Sequence, residues 1–180
     1  LVTGVQTCAL PIFDPISRMR GPSAEFWFGT DMVGRDVYSR ALYGAKTSLS
    51  VAALVAVCAI AVGLTIGLVA TYIRWLDPLV SRIMDGVMAI PGILLAIALI
   101  TLSGASMATV VVAITIPEIP RVVRLVRSVV LSVREEPYVE AAIGLGTPPG
   151  AVMIRHILPN VVAPLIVQGT YMAASAMLLE

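Results

Sequence analysis

Glu140-Ala141-Ala142-Ile143-Gly144-Leu145-Gly146, followed ten residues later by His156-Ile157-Leu158-Pro159, is a short polar-flanked stretch between long hydrophobic segments. Pro137 suits the first position of a helix, where its missing N–H costs nothing. Tyr138, Val139, Ala142 and Ile143 share one apolar face, with Glu140 turned away from most of it. Gly146 is placed to end that helix in a left-handed conformation. Thr147-Pro148 reads as the cap and first residue of a second short helix. Leu158-Pro159 is expected to break that helix before Asn160 caps a further segment. The reading is therefore two short helices joined by a sharp glycine bend. Ala141 and Ala142 are small enough to let a partner surface come close.

Outward from this stretch the chain turns apolar. Of 180 residues, 58% are hydrophobic and 13% charged, against about 45–50% and about 25% in soluble domains. The apolar residues gather in runs near the roughly 20 residues that cross a bilayer. Four such segments are expected: Thr47 to Ile73, Asp77 to Leu102 with Pro91-Gly92 near its middle, Met107 to Val126 interrupted by Pro117 and Pro120, and Asn160 to Glu180. Unpaired backbone groups are costly in hydrocarbon, so the segments should be helical and the fold all-α. A net charge of +1 gives no electrostatic case for nucleic acid.

Arg121, Arg124, Arg127, Arg134 and Arg155 put residues 121–159 on the cytoplasmic side. The uncharged link Ser103-Gly104-Ala105-Ser106 then faces outward, and the turn near Arg74 and Arg82 faces the cytoplasm. Residues 13–45 become extracytoplasmic, with an interfacial helix from about Arg35 to Tyr43 stopped by Gly44. The basic residues of this segment argue mildly against that side, and four acids accompany them.

The spacing Glu-Ala-Ala, three residues, Gly, nine residues, then one position, any residue and Leu-Pro resembles the EAA loop of bacterial ABC-importer permeases. His156 stands where many of these families carry Ile, which looks like the dipeptide/oligopeptide branch. Phe28-Gly29-Thr30-Asp31, Gly34-Arg35-Asp36, Ser39-Arg40, Gly44 and Ser48-Leu49 resemble the segment before the core membrane domain of dipeptide, oligopeptide and nickel permeases. The resemblance covers about residues 26 to 180. It implies a partial type I ABC-importer helix bundle, residues 46–180, of the C-type subunit. It also implies a multi-pass protein of the bacterial inner membrane. Its partners would be membrane lipid, a second permease, two ATP-binding subunits and an extracytoplasmic solute-binding protein. The solute would be a di- or oligopeptide; nickel or another small solute is the alternative within the family, and an ATPase-independent secondary transporter or channel the alternative outside it. The resemblance makes Glu140, Ala141, Ala142, Gly146, His156, Leu158 and Pro159 the ATPase-coupling loop. Residues 1–12 resemble a translated sequencing adapter, and the chain is expected to be truncated at both ends.

No chemistry of its own is expected. Gly44-Ala45-Lys46-Thr47 ends like a phosphate-binding loop but has Ala45 where glycine must precede lysine, and Arg40 where the earlier glycine belongs. ATP and Mg are thus expected only on partner subunits, with no cofactor on this chain. No nucleophile–base pair or acidic dyad presents itself. His156 is the only histidine, and Cys58 inside an apolar run reads as a small buried hydrophobe. Charges inside apolar segments are candidates for function. Asp85 is expected to pair with Arg121 or Arg124 across antiparallel helices as a buried ion pair, and Glu118 with Arg121 one turn on. Gly63-x-x-x-Gly67 permits close helix contact. Gln168, Thr170, Tyr171 and Ser175 dot the last segment without deciding between a pore and interhelical bonding.

Overall fold

The computed structural model describes residues 18–73, 75–104 and 106–179. The first twelve residues, with their adapter-like reading, lie outside the described residues. The chain divides into a unit Leu1–Ser50 and a unit Val51–Glu180.

In the first unit, Thr30 and Asp36 form an antiparallel bridge around a tight loop. Asp31 organises it: its Oδ1 accepts the N–H of Val33 at 2.8 Å and of Arg35 at 3.0 Å, and Arg40 reaches Oδ2 at 3.2 Å. Gly34 takes φ +80°, which closes the turn. Asp36 then caps helix α1, Val37–Tyr72, accepting the N–H groups of Tyr38 at 3.1 Å and Ser39 at 3.3 Å. The stop expected at Gly44 is absent, since α1 runs through it as one 36-residue helix. A lone glycine costs a helix only about 1 kcal/mol, too little to halt one this long and apolar.

Among the described residues, the regular elements of the second unit are all helical. The order is α2 (Leu76–Met88), α3 (Gly92–Ser103), α4 (Met107–Arg134), α5 (Pro137–Gly144), α6 (Pro149–Val152), a π-helical turn (Met153–Ile157) and α7 (Leu158–Leu179). Pro91 separates α2 from α3 with a bend of 81°. Pro91 itself is extended, at φ −55° and ψ 123°, and its nitrogen donates nothing. The prolines of α4 act differently: Pro117 and Pro120 were expected to interrupt the segment, yet the helix continues through both. Its face of Val122, Val126 and Val130 is wholly buried, and that packing outweighs two lost backbone bonds.

The core joins α1, α4 and the C-terminal elements. One cluster contains Ala59, Val122, Val126, Val130, Val139, Val152, Ile157, Val161, Leu165 and Met172. A second holds Val51, Ala52, Val55, Ile114 and Ala176. Gly63 and Gly67 face α4, where an added Cβ would stand 2.5 Å from Val122 Cβ and 2.8 Å from Val126 Cγ1. The glycine pair is what lets the two backbones approach. Cys58 is exposed, correcting its reading as buried, because it shares the outward side of α1 with Leu54 and Val57.

Two described helices, Val37–Tyr72 and Pro149–Leu178, are long and apolar enough to cross a membrane, and the bent pair α2–α3 makes a third if it is one span. That is fewer than the four spans expected. Residues 107–134 form a 28-residue helix but carry Glu118 and four arginines, so the run lacks the unbroken apolar character of a span.

Candidate functional site

The stretch from Pro137 to Asn160 folds as two short helical pieces around a glycine bend. Pro137 starts α5, and Glu136 precedes it in an extended conformation. The end of α5 is a Schellman arrangement. The Gly146 N–H donates to the Ile143 carbonyl at 2.9 Å and the Thr147 N–H to that of Ala142 at 3.1 Å. Gly146 has φ +80°, with open space where a Cβ would be. The second piece begins one residue later than expected: Pro148 is the cap and Pro149 the first helical residue, because Pro148 sits at an extended ψ of 142°.

Pro159 does not break the chain. The helix widens into the π turn Met153–Ile157, and the Leu158 N–H donates to the Met153 carbonyl five residues back. A wider turn spares the proline ring its clash with the preceding turn and absorbs the missing donor. Asn160 does not cap a new helix either. Its Nδ2 donates to the His156 carbonyl at 2.6 Å and to Tyr138 Oη at 3.1 Å. Tyr138 also faces the His156 ring at a centroid distance of 6.1 Å. A Tyr138–His156–Asn160 contact thus ties α5 to the start of α7. The sequence pointed to His156 but not to its partners, since 22 residues separate Tyr138 from Asn160.

Burial sorts the loop residues. Val139, Val152 and Ile157 anchor it to the core. Glu140, Ala141, Gly146 and Pro159 are exposed, while Ala142, His156 and Leu158 are half-buried. Tyr138, Ile143, Leu145 and Ile154 are exposed as well, Leu145 to 86%. A cavity of about 420 Å³ lies beneath the loop, walled by Thr71, Val130, Arg134, Ile143 and Met153 among others.

Three ion pairs line α4. Arg124 Nη2 reaches Asp85 Oδ1 at 2.7 Å across to α2. Arg121 does not join them; its Nη1 reaches Glu118 Oε1 at 2.5 Å on the same helix. The Asp85–Arg124 pair was expected to be buried, but its side chains are 64% and 56% exposed. Asp85 lies on α2, none of whose residues is buried. The third pair went unread in the sequence. Arg127 Nη2 donates to Asp77 Oδ2 at 2.8 Å, and its Nε approaches Oδ1 at 2.6 Å off the hydrogen-bond axis. Asp77 looked like a segment end. The signal was the pairing order, in which Asp77 and Asp85 meet Arg127 and Arg124 as antiparallel helices require. Among the described residues, no three His, Cys, Asp or Glu side chains are grouped to hold a metal.

Residues 59–180 match the model of a family described as "Binding-protein-dependent transport system inner membrane component". The chain is 53% identical over 169 residues to a probable peptide ABC transporter permease protein of Sinorhizobium fredii, covering 94% of this chain and 58% of that protein. It is 47% identical over 166 residues to the dipeptide transport system permease protein DppC of Alkalihalophilus pseudofirmus, covering 92% and 55%. Identity to the glutathione transport system permease protein GsiD of Pectobacterium atrosepticum is 40% over 156 residues, covering 86% and 52%. The chain thus spans a little over half the length of these relatives. With the helical bundle, the membrane-length helices and the matched residues together, the chain belongs to the family of binding-protein-dependent transport system inner membrane components.

Proposed function

We propose that this chain is part of a permease subunit of an ATP-driven importer of peptides, and that residues 137–157 receive the motion of a partner ATPase. The observation that carries the reading is the α5–Gly146–α6 bend. Its inner side chains are fixed in the core while its outer ones are exposed. Tyr138, Ile143, Leu145 and Ile154 give an apolar patch with Glu140 beside it, suited to a groove on another protein. Because Val139 packs in one cluster with Val122 and Val126, displacement of the loop pulls directly on α4. The names of the relatives support peptides as the solute class.

The proposal extends to the rest of the chain and its assembly. Residues 46–180 are the transmembrane domain and residues 13–45 an extracytoplasmic segment. A second permease, two ATP-binding subunits and a solute-binding protein complete the assembly, and ATP with Mg sits on the ATPases. This chain binds and guides and makes no covalent bond. Vesicles holding the assembled transporter should accumulate a labelled dipeptide only with ATP inside and binding protein outside. Accumulation driven by an ion gradient without ATP would refute the reading in favour of a secondary transporter.

A further inference from the structure

Glu118 is the exception among the acids facing α4's arginines. Its side chain is only 7% exposed, against 24% for Asp77 and 64% for Asp85. Arg121 satisfies Oε1, but Oε2 is buried with no hydrogen-bond partner. A buried acceptor left unpaired costs about 1–3 kcal/mol, more when charged. Glu118 also lines a cavity of about 440 Å³ between α3, α4 and α7. Ile93, Ile97 and Ile114 make apolar walls there, and Tyr171 and Ser175 face it from α7. The volume lies within the roughly 300–1,000 Å³ of small-molecule sites. Along α4, Glu118 is about 17 Å from Met107 and about 24 Å from Arg134, near mid-helix.

We propose that the Glu118 carboxylate is a docking point for an ammonium group of the transported solute inside this cavity. The vacant group is an acceptor, so its missing partner is a donor. A hydrogen bond to the ionised carboxylate is roughly twice as strong as one between neutral groups, and a cationic donor adds Coulomb attraction to it. An anionic group would be repelled at Oε2 itself, while the Arg121 guanidinium that also lines the cavity is already engaged by Oε1. Arg121 already offsets one charge, so a single ammonium is held weakly enough to leave again. Its identification as a peptide's amine rests on the peptide reading above; the ammonium subsite itself does not.

The test uses the assembled transporter and a hydrophobic carbodiimide that modifies membrane carboxyls, with total modification of Glu118, as carbodiimide adduct or as amide with an added amine, read by mass spectrometry. At about ten times its Kd, butylammonium should slow this modification by about tenfold, and butanol at the same concentration should not. Equal effects of the two, or none from either, overturn the subsite. Tri-alanine should protect and N-acetyl-tri-alanine should not. An N-acetylated peptide containing lysine that protects equally well would assign the site to side-chain amines, still ammonium groups. Failure of wild-type vesicles to take up tri-alanine overturns the peptide reading, while protection by butylammonium still stands for the subsite. Glu118→Gln should lower tri-alanine uptake and Glu118→Asp should restore part of it. Arg121→Gln should keep the protection of Glu118 by butylammonium; loss of that protection would mean that the two residues serve only each other.

Discussion

At the residue scale the most exacting positions are glycines whose missing side chain admits another helix. Gly67→Val should overpack the α1–α4 contact and destabilise the bundle by about 1–3 kcal/mol, because Val126 is wholly buried and has nowhere to retreat. Thermal unfolding of the complex reads this, and Val126→Ala in the same chain should recover part of the loss. Asp31 sets a second expectation. The Arg35 N–H holds its carboxyl below the ordinary 3.8; burial opposes the shift, and Val33 and Arg40 add to it. A depressed acid stabilises above its unfolded value and loses that contribution as pH falls through the folded one. The Val33 and Arg35 amide resonances should therefore shift with a midpoint below pH 3.8. In Asp31→Asn they should differ from wild type at neutral pH as well.

At the element scale, Pro91 should be the cause of the α2–α3 bend. Pro91→Ala restores the backbone donor and should let the two helices merge. Spin labels at Arg82 and Thr101 should then separate toward about 28 Å, the length of 19 residues of straight helix. An unchanged distance would assign the bend to packing, with Gly92 held against Pro117. In the sequence Pro91-Gly92 stood near the middle of one expected segment, and nothing local announced a bend of 81° there. Pro117, Pro120 and Pro159 carried the same local signal with a different outcome. What kept those helices going lies in tertiary packing and in the π turn at Met153–Ile157, neither of which leaves a mark in local sequence. Gly146 was legible because a left-handed helix end needs glycine and the spacing supplied it. The Arg127–Asp77 pair was not, since each partner alone looks like an ordinary end-of-segment charge. The burial of Glu118 was likewise invisible, because nothing local distinguishes it from the exposed Asp85.

At the scale of the whole molecule, a long helix–helix core carries a small exposed lever, and the account stands or falls on whether that lever transmits ATPase motion. Gly146 isolates the question. Space around it within this chain is open, so a substitution there acts on the chain through backbone conformation, and Gly146→Asn controls for a side chain placed against the partner. Valine resists φ +80° by about 1–2 kcal/mol and should swing α5 relative to α6, whereas asparagine tolerates the conformation. Both variants should reach the membrane at normal abundance, because Val139, Val152 and Ile157 still anchor the loop. The direct measurement is peptide uptake together with ATP turnover, in vesicles reconstituted with wild type, Gly146→Val and Gly146→Asn. The account predicts that Gly146→Val loses uptake per ATP hydrolysed while Gly146→Asn retains most of it. Wild-type coupling in Gly146→Val would contradict the lever and remove residues 137–157 from the mechanism.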